Sequence, residues 1–384
     1  MRYITTGLFL FILGFAGHAQ FGPQQIITEM ANGVELVVAA DINGDGDIDI
    51  ISASRGSHTI AWQENLDGNG TFGPQNIVSA TLDQTTYVNT ADLDGDGDID
   101  VFGNAPSIGY IAWFENLDGL GNFSSEIIIT SNVDNPSEVH AADIDGDMDL
   151  DILCISRNDG KVSWYENLDG LGNFGPQLLI SATAFNGLST FPVDIDGDDD
   201  IDVIATVASE KRLYWYENLD GLGTFSSGHI IVETVIQGGF QSITAKDIDG
   251  DLDMDVVSVE FGGSTLSWYE NLDGLGAFGP KLDITTNLET PYIVFASDLD
   301  DDGDADILSA ATSSSDKVVW FENTNGLGAF GPEQLIDNEL DGPRSVFAAD
   351  LDNDGDNDVL SASISDDKIA WYENFTILGV EDFD

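Results

Sequence analysis

Apolar residues in this chain fall in short runs of four to eight, rich in Val, Ile and aromatic residues and bounded by Gly, Asn, Asp or Pro. Such runs read as β-strands, and past the N-terminal twenty residues nothing carries the spacing of an amphipathic helix. Over 87–130 the pattern predicts four strands, at 87–91, 99–103, 110–116 and 123–130. An acidic loop follows the first, and the Gly-rich turn LDGLGN follows the third.

The pattern repeats seven times. Its acidic string reads DINGDGDID from Asp41, DLDGDGDID from Asp92, DIDGDMDLD from Asp143, DIDGDDDID from Asp194, DIDGDLDMD from Asp247, DLDDDGDAD from Asp298 and DLDNDGDND from Asp350. The starts lie 51, 51, 51, 53, 51 and 52 residues apart. One tryptophan per copy keeps the register (Trp62, Trp113, Trp164, Trp215, Trp268, Trp320, Trp371), and each opens a W-x-E-N string. A period of this length marks a repeat architecture, and four antiparallel strands per repeat describe a propeller blade.

The ends of the pattern are complementary. Residues 21–27, FGPQQII, read as a fourth strand without a blade, whereas the seventh copy stops at WYEN, 371–374, before its fourth strand. Pairing the two removes a pair of open sheet edges. The expected fold is all-β: a seven-bladed β-propeller of four-stranded antiparallel blades over 20–374, closed by the N-terminal strand completing the last blade.

Charge adds chemistry to this frame. The 384 residues include 70 acidic and 11 basic ones, a net charge of −59. That excludes a nucleic-acid binder, which needs a basic footprint. With 42% hydrophobic and 10% aromatic residues the chain is no disordered polyanion either. Of the acidic residues, 36 lie in the seven nonapeptides.

Each nonapeptide places side-chain oxygens at positions 1, 3, 5 and 9 and a backbone carbonyl at position 7, where the residue is also Asp in all seven copies. The first loop offers Asp41, Asn43, Asp45, Asp47 and Asp49; the second Asp92, Asp94, Asp96, Asp98 and Asp100; the third Asp143, Asp145, Asp147, Asp149 and Asp151. The fourth offers Asp194, Asp196, Asp198, Asp200 and Asp202, and the fifth Asp247, Asp249, Asp251, Asp253 and Asp255. The sixth has Asp298, Asp300, Asp302, Asp304 and Asp306, and the seventh Asp350, Asp352, Asp354, Asp356 and Asp358. Alternating oxygens in a tight loop wrap a hard cation that takes six to eight ligands, which points to Ca2+ at up to seven sites. Mg2+ keeps its waters and is disfavoured. Left as bare acidic turns, like charges about 4 Å apart would cost on the order of 1 to 4 kcal/mol per pair.

Position 2 is apolar throughout, an anchor to the core. Position 6 is glycine in four loops; Met148, Asp199 and Leu252 stand there in the others and predict weaker or altered sites. The loop is not an EF-hand, since position 12 of the first copy is Ser52 rather than a bidentate Glu.

On these motifs, D-x-D-x-D-G-x-x-D before a strand and F-G-P at Phe21, Phe72, Phe174, Phe278 and Phe330, the chain resembles the FG-GAP or VCBS repeat family, related to the propeller of integrin α-subunits. The resemblance implies calcium in the loop between first and second strands and a role in adhesion or carbohydrate binding. The tail 375–384, FTILGVEDFD, resembles the spacer before a C-terminal sorting domain in Bacteroidetes secreted proteins, although that domain is not in this sequence.

Residues 1–19 carry Arg2, an apolar run over 8–16 and small residues at Gly17 and Ala19, the pattern of a secretory signal. They imply an exported chain, secreted or at the cell surface; no later apolar run reaches the length of a transmembrane helix, and a monomer is expected. The only cysteine, Cys154, stands where other copies have Ser52, Gly103, Ala205, Ser258, Ser309 and Ser361, a place for a small strand residue rather than a disulfide.

Function is expected where repeats diverge on a rigid frame. The acidic loops and Gly-rich turns share one face and vary little; the loops between second and third strands, on the other face, vary freely. Lys161, Arg212, Lys317 and Lys368 share one register three residues before the tryptophan. They either pair locally with Asp159, Glu210, Asp316 and Asp367 or form a ring of cations that recognises an anionic ligand. The tryptophans are either core between blades or platforms for sugars, and the W-x-E-N glutamates are expected to brace the following turn. The sequence lacks H-E-x-x-H, G-x-S-x-G and P-loop motifs, and its histidines do not cluster. The expectation is a non-catalytic adhesion or interaction module binding a protein or glycan through the variable face; the alternatives are a lectin-like module and, behind it, a polysaccharide lyase or hydrolase.

Overall fold

The structure, a computed structural model, describes residues 20–236, 238–313 and 315–376; the signal-like segment and the tail beyond 376 lie outside them. Twenty-eight strands form seven four-stranded antiparallel sheets, each of four strands consecutive in sequence except the last. In the first blade the strands are Val34–Ala40, Asp49–Ser54, Thr59–Gln63 and Asn76–Ser79, from the axis outward. The seventh blade comprises Pro343–Ala349, Asp358–Ser363 and Lys368–Tyr372 and takes its outer strand from Gln25–Thr28. Gln25 lies opposite Trp371 and Ile26 opposite Ala370. Phe21 bridges Asn374 just as Phe72 bridges Asn65, so the ring closes by the expected complementarity.

Every second strand is buried along its whole length, because neighbouring blades cover both faces of each sheet. The second blade shows where the expected boundaries move. Its second strand is Asp100–Ala105, and its outer strand is only Ile127–Thr130. Phe123 makes a single bridge to Asn116. Beyond it the N–H of Ser124 donates to the Glu115 carbonyl at 2.7 Å, and the Ser124 hydroxyl accepts the Glu115 N–H at 3.0 Å. The same offset between bridge and outer strand recurs with glycine after the phenylalanine, as from Phe72 to Asn76.

The hydrophobic clusters each span two blades: Trp62 of the first packs with Val101 and Phe114 of the second. The seven tryptophans are 2–6% exposed. They are core rather than sugar platforms, and Trp320 meets Phe21 edge-on at 6.0 Å across the closure. Cys154 is fully buried among strand residues, where desolvation pushes its thiol pKa up.

Candidate functional site

Each acidic loop is pinned by its own carboxylates. At position 1, Oδ1 accepts the position-4 N–H at 2.8 Å in the first five loops, and Oδ2 accepts the position-6 N–H at 2.9–3.1 Å in all seven. The position-5 Oδ1 accepts the position-7 N–H at 2.9–3.0 Å in every copy. This path requires left-handed backbone at positions 4 and 6. Met148, Asp199 and Leu252 adopt φ of 77°, 71° and 76° and donate the same bond as the glycines. Those loops therefore keep the position-6 turn, at φ of 71–77° against 93–103° in the glycine loops. A Cβ at position 6 meets nothing within 4 Å in the glycine loops, so a side chain there costs only the left-handed strain, roughly 1–2 kcal/mol.

The loops bring positions 1, 3 and 5 together. Carboxylate oxygens of Asp92, Asp94 and Asp96 lie within 4.8 Å of one another, as do those of Asp143, Asp145 and Asp147, of Asp247, Asp249 and Asp251, and of Asp298, Asp300 and Asp302. In the fourth loop the group is Asp194, Asp196 and Asp202. Oδ1 of Asp145, Asp196, Asp249 and Asp300, all at position 3, is shielded from solvent without a hydrogen-bond partner. Burial and then the repulsion of neighbouring carboxylates raise the pKa of Asp94, Asp145 and Asp249, and lift Asp196, Asp300 and Asp352 to about 6. Shielded, unpartnered oxygens under mutual repulsion fit an oxygen-ligated divalent cation such as Ca2+.

Positions 7 and 9 have roles of their own, Asp202 in addition to its place in the fourth cluster. The position-9 aspartates are 0–1% exposed. Asp49 accepts the Ile42 N–H at 3.1 Å through Oδ2 and the Asn65 N–H at 2.7 Å through Oδ1, and the same bracket recurs in every blade, ending with Asp358 on Leu351 and Asn374. Desolvation dominates there, lifting Asp49, Asp100, Asp151, Asp202, Asp255 and Asp306 to about 7 and Asp358 to about 8. Position-7 carboxylates turn toward the Gly-rich turn of their own blade: a Cβ added at Gly119 would collide with Asp98, and one at Gly68 with Asp47.

Sequence reasoning missed the asparagine of W-x-E-N. Its amide donates to the position-2 carbonyl of the preceding blade's loop: Asn116 to Ile42, Asn167 to Leu93, Asn218 to Ile144, Asn271 to Ile195 and Asn374 to Leu299 at 2.8 Å, Asn323 to Ile248 at 2.7 Å and Asn65 to Leu351 at 2.9 Å. Strict recurrence of Asn beside a β-turn was the available signal. The glutamate before it braces the turn through its main chain, as Glu64 O accepts the Gly73 N–H at 2.7 Å. Its carboxylate faces position 3, with Glu64 3.5 Å from the Asn43 amide.

The four register cations are engaged locally. Lys161 pairs with Asp159 at 2.8 Å, Arg212 with Glu210 at 3.0 Å and Glu233 at 2.8 Å, Lys317 with Glu333, and Lys368 with Asp366 at 3.1 Å. Asp316 and Asp367 are not the partners, because they cap the next blade: Asp316 accepts the Gly342 N–H at 3.1 Å and Asp367 the Gly33 N–H at 2.7 Å.

Among the described residues no helix is long and apolar enough to cross a membrane. No curated protein matches the chain. Solved structures with the same fold include an Agrocybe aegerita lectin that recognises non-reducing terminal N-acetylglucosamine (TM-score 0.60, 22% identity, 80% of this chain and 81% of that one). They also include virginiamycin B lyase from Staphylococcus aureus (0.60, 13%, 91% and 98%) and BBS1N in complex with ARL6DN (0.63, 10%, 94% and 99%). The FG-GAP-like repeat model matches at 41–103, 92–154, 143–205, 194–258, 247–309 and 298–361. With those matches in register with the acidic loops and running from the first to the seventh blade, the chain belongs to the FG-GAP-like repeat family.

Proposed function

We propose that this chain is an exported, calcium-braced and non-catalytic binding module that engages its partner through the face opposite the acidic loops. One observation carries the reading: the side chains that repeat in every blade, from position 1 of the loop to the asparagine of W-x-E-N, are occupied in holding loops and blades together. Recognition is left to what differs between blades. Calcium at positions 1, 3 and 5 would neutralise the clustered carboxylates and fix the frame.

A glycan partner is the second reading, favoured by the fold shared with a lectin that recognises N-acetylglucosamine. Binding of the calcium-loaded chain to a glycan array tests both. Replacing loops 157–160 and 208–211 with Gly-Ser should abolish whatever binding is seen, and a null across the array favours a protein partner. Binding unchanged by those replacements but lost on altering the Gly-rich turns would place recognition on the other face and overturn the proposal.

A further inference from the structure

Three of the five arginines of this chain are gathered in one place. Five occur in the sequence, one of them Arg2. Of the other four, Arg55, Arg157 and Arg344 line a single cavity of about 520 Å³ and only Arg212 lies elsewhere; no lysine lines it. The cavity is the axial mouth of the variable face, where the innermost strands begin.

A buried carboxylate organises it. Glu35, 7% exposed, sits between Arg55 at 3.6 Å and Arg344 at 3.7 Å. The Arg344 guanidinium stacks 4.3 Å above the Tyr292 ring, and its Nε is buried without a hydrogen-bond partner. Arg157 is exposed and has no acidic group within 4.0 Å among the described residues. The other two carboxylates of the mouth have partners of their own: Glu138 accepts the Thr190 N–H and Asp134 the Asn158 amide, both at 2.9 Å. The mouth is thus locally balanced in a chain of charge −59, and it keeps guanidinium donors that the protein leaves unfilled.

We propose that this cavity binds an acidic oligosaccharide, with the carboxylate of a uronic acid held by Arg157 and its neighbours Arg55 and Arg344. The reading rests on the variable face being the binding face. Planar guanidinium forks match a carboxylate in bidentate geometry. Gln84, Ser137 and Gln241 in the same wall offer donors and acceptors to sugar hydroxyls, and the volume falls within the range of small-ligand sites, roughly 300–1,000 Å³. The charge of the whole chain repels a dense polyanion. The ligand it admits carries isolated carboxylates among neutral hydroxyls, which describes a uronate sugar and not a sulfated one.

Titration calorimetry on the full calcium-loaded chain tests this with trigalacturonate, its methyl ester and hexa-aspartate. Trigalacturonate should bind, with the ester at least about tenfold weaker, the loss expected of one charge-assisted contact. Arg157→Gln should weaken binding by a similar factor with an unchanged melting temperature, since that side chain is exposed and unpaired. No heat with trigalacturonate, equal binding of the ester, binding retained in the R55Q/R157Q double variant, or tighter binding of hexa-aspartate each overturns the proposal. Hydrogen exchange with any bound partner separates the two readings. Protection confined to loop 208–211 leaves the variable face as the binding face and removes only the axial assignment, whereas protection on the acidic loops removes both.

Discussion

The side-chain amide of Asn116 donates a 2.8 Å hydrogen bond to the carbonyl oxygen of Ile42, which belongs to the acidic loop of the preceding blade. The N–H of Ile42 is held in turn by Asp49 at 3.1 Å. Both ends of one loop residue are therefore fixed, one by its own blade and one by the next. Repeated around the ring, this arrangement couples each candidate cation loop to the stacking of blades, so the loops and the propeller are stable or unstable together.

Asn116→Ala should be costly for its size. It leaves the Ile42 carbonyl and the Gly121 N–H, which Asn116 Oδ1 accepts at 3.1 Å, without partners in the interior. Two such groups cost about 2–6 kcal/mol, read as a shift of the urea midpoint. A loss under about 0.5 kcal/mol, the size of an ordinary surface change, would sink the idea that the amide staples the blades.

Two glycines with similar backbone angles should respond differently to alanine. Gly121, at φ 77°, packs so tightly that a Cβ would collide with the Trp62 ring of the preceding blade, whereas Gly97, at φ 94°, has open space around it. Gly97→Ala should cost roughly 1–2 kcal/mol of left-handed strain alone. Gly121→Ala adds overpacking, typically about 1–3 kcal/mol more. Equal destabilisation of the two in thermal or urea unfolding would show that blade packing there is looser than the structure has it.

This contrast shows what the sequence reveals and what it hides. Blade number, strand order and closure are legible because burial alternates with turn chemistry at a fixed period, and because FGPQQII and the truncated seventh copy fit one another. The loops are legible as a group of carboxylates. Which carboxylates cluster is not: spacing alone treats Asp41 and Asp49 alike, yet Asp49 is a buried bracket for backbone N–H groups. The partners of Lys317 and Lys368 were hidden for a similar reason. Asp316 and Asp367 are adjacent in sequence but adopt φ of 40° and 58° and point to the next blade.

Cation removal and pH should act on the same groups. Binding at a hundredfold excess over Kd adds about 2.7 kcal/mol per site, so EDTA should lower the melting temperature at pH 7.5 markedly. An identical melt in EDTA and calcium would falsify a structural role for the metal. In EDTA the position-9 carboxyls, lifted from 3.8 to about 7 or 8 by burial, favour the folded chain while protonated. That contribution is complete below about pH 4 and lost above about pH 8. The metal-free melting temperature should therefore fall between pH 5 and pH 8. In calcium the slope should be shallower, since the bound charge holds the neighbouring carboxylates ionised. A metal-free melt that rises over that range would contradict the burial of these seven groups.

Removing residues 20–28 should open the ring without deleting any acidic-loop residue; the loop hydrogen bond lost is that of the Gln20 amide with the Leu299 carbonyl. Gln25–Thr28 is the outer strand of the seventh blade, and Phe21 both bridges Asn374 and packs against Trp320. Its loss exposes the edge of Lys368–Tyr372, a strand buried at four of its five positions. An apolar strand with unpaired backbone groups recruits another strand, so the truncated chain should dimerise or aggregate on size exclusion at micromolar concentration. Adding a peptide of sequence FGPQQIITE in excess should return it to a monomer, because that segment carries the register that pairs Gln25 with Trp371. A truncated chain that stays monomeric with an unchanged melt would mean that closure adds nothing to stability. The six remaining four-stranded blades would then hold the seventh by face packing alone.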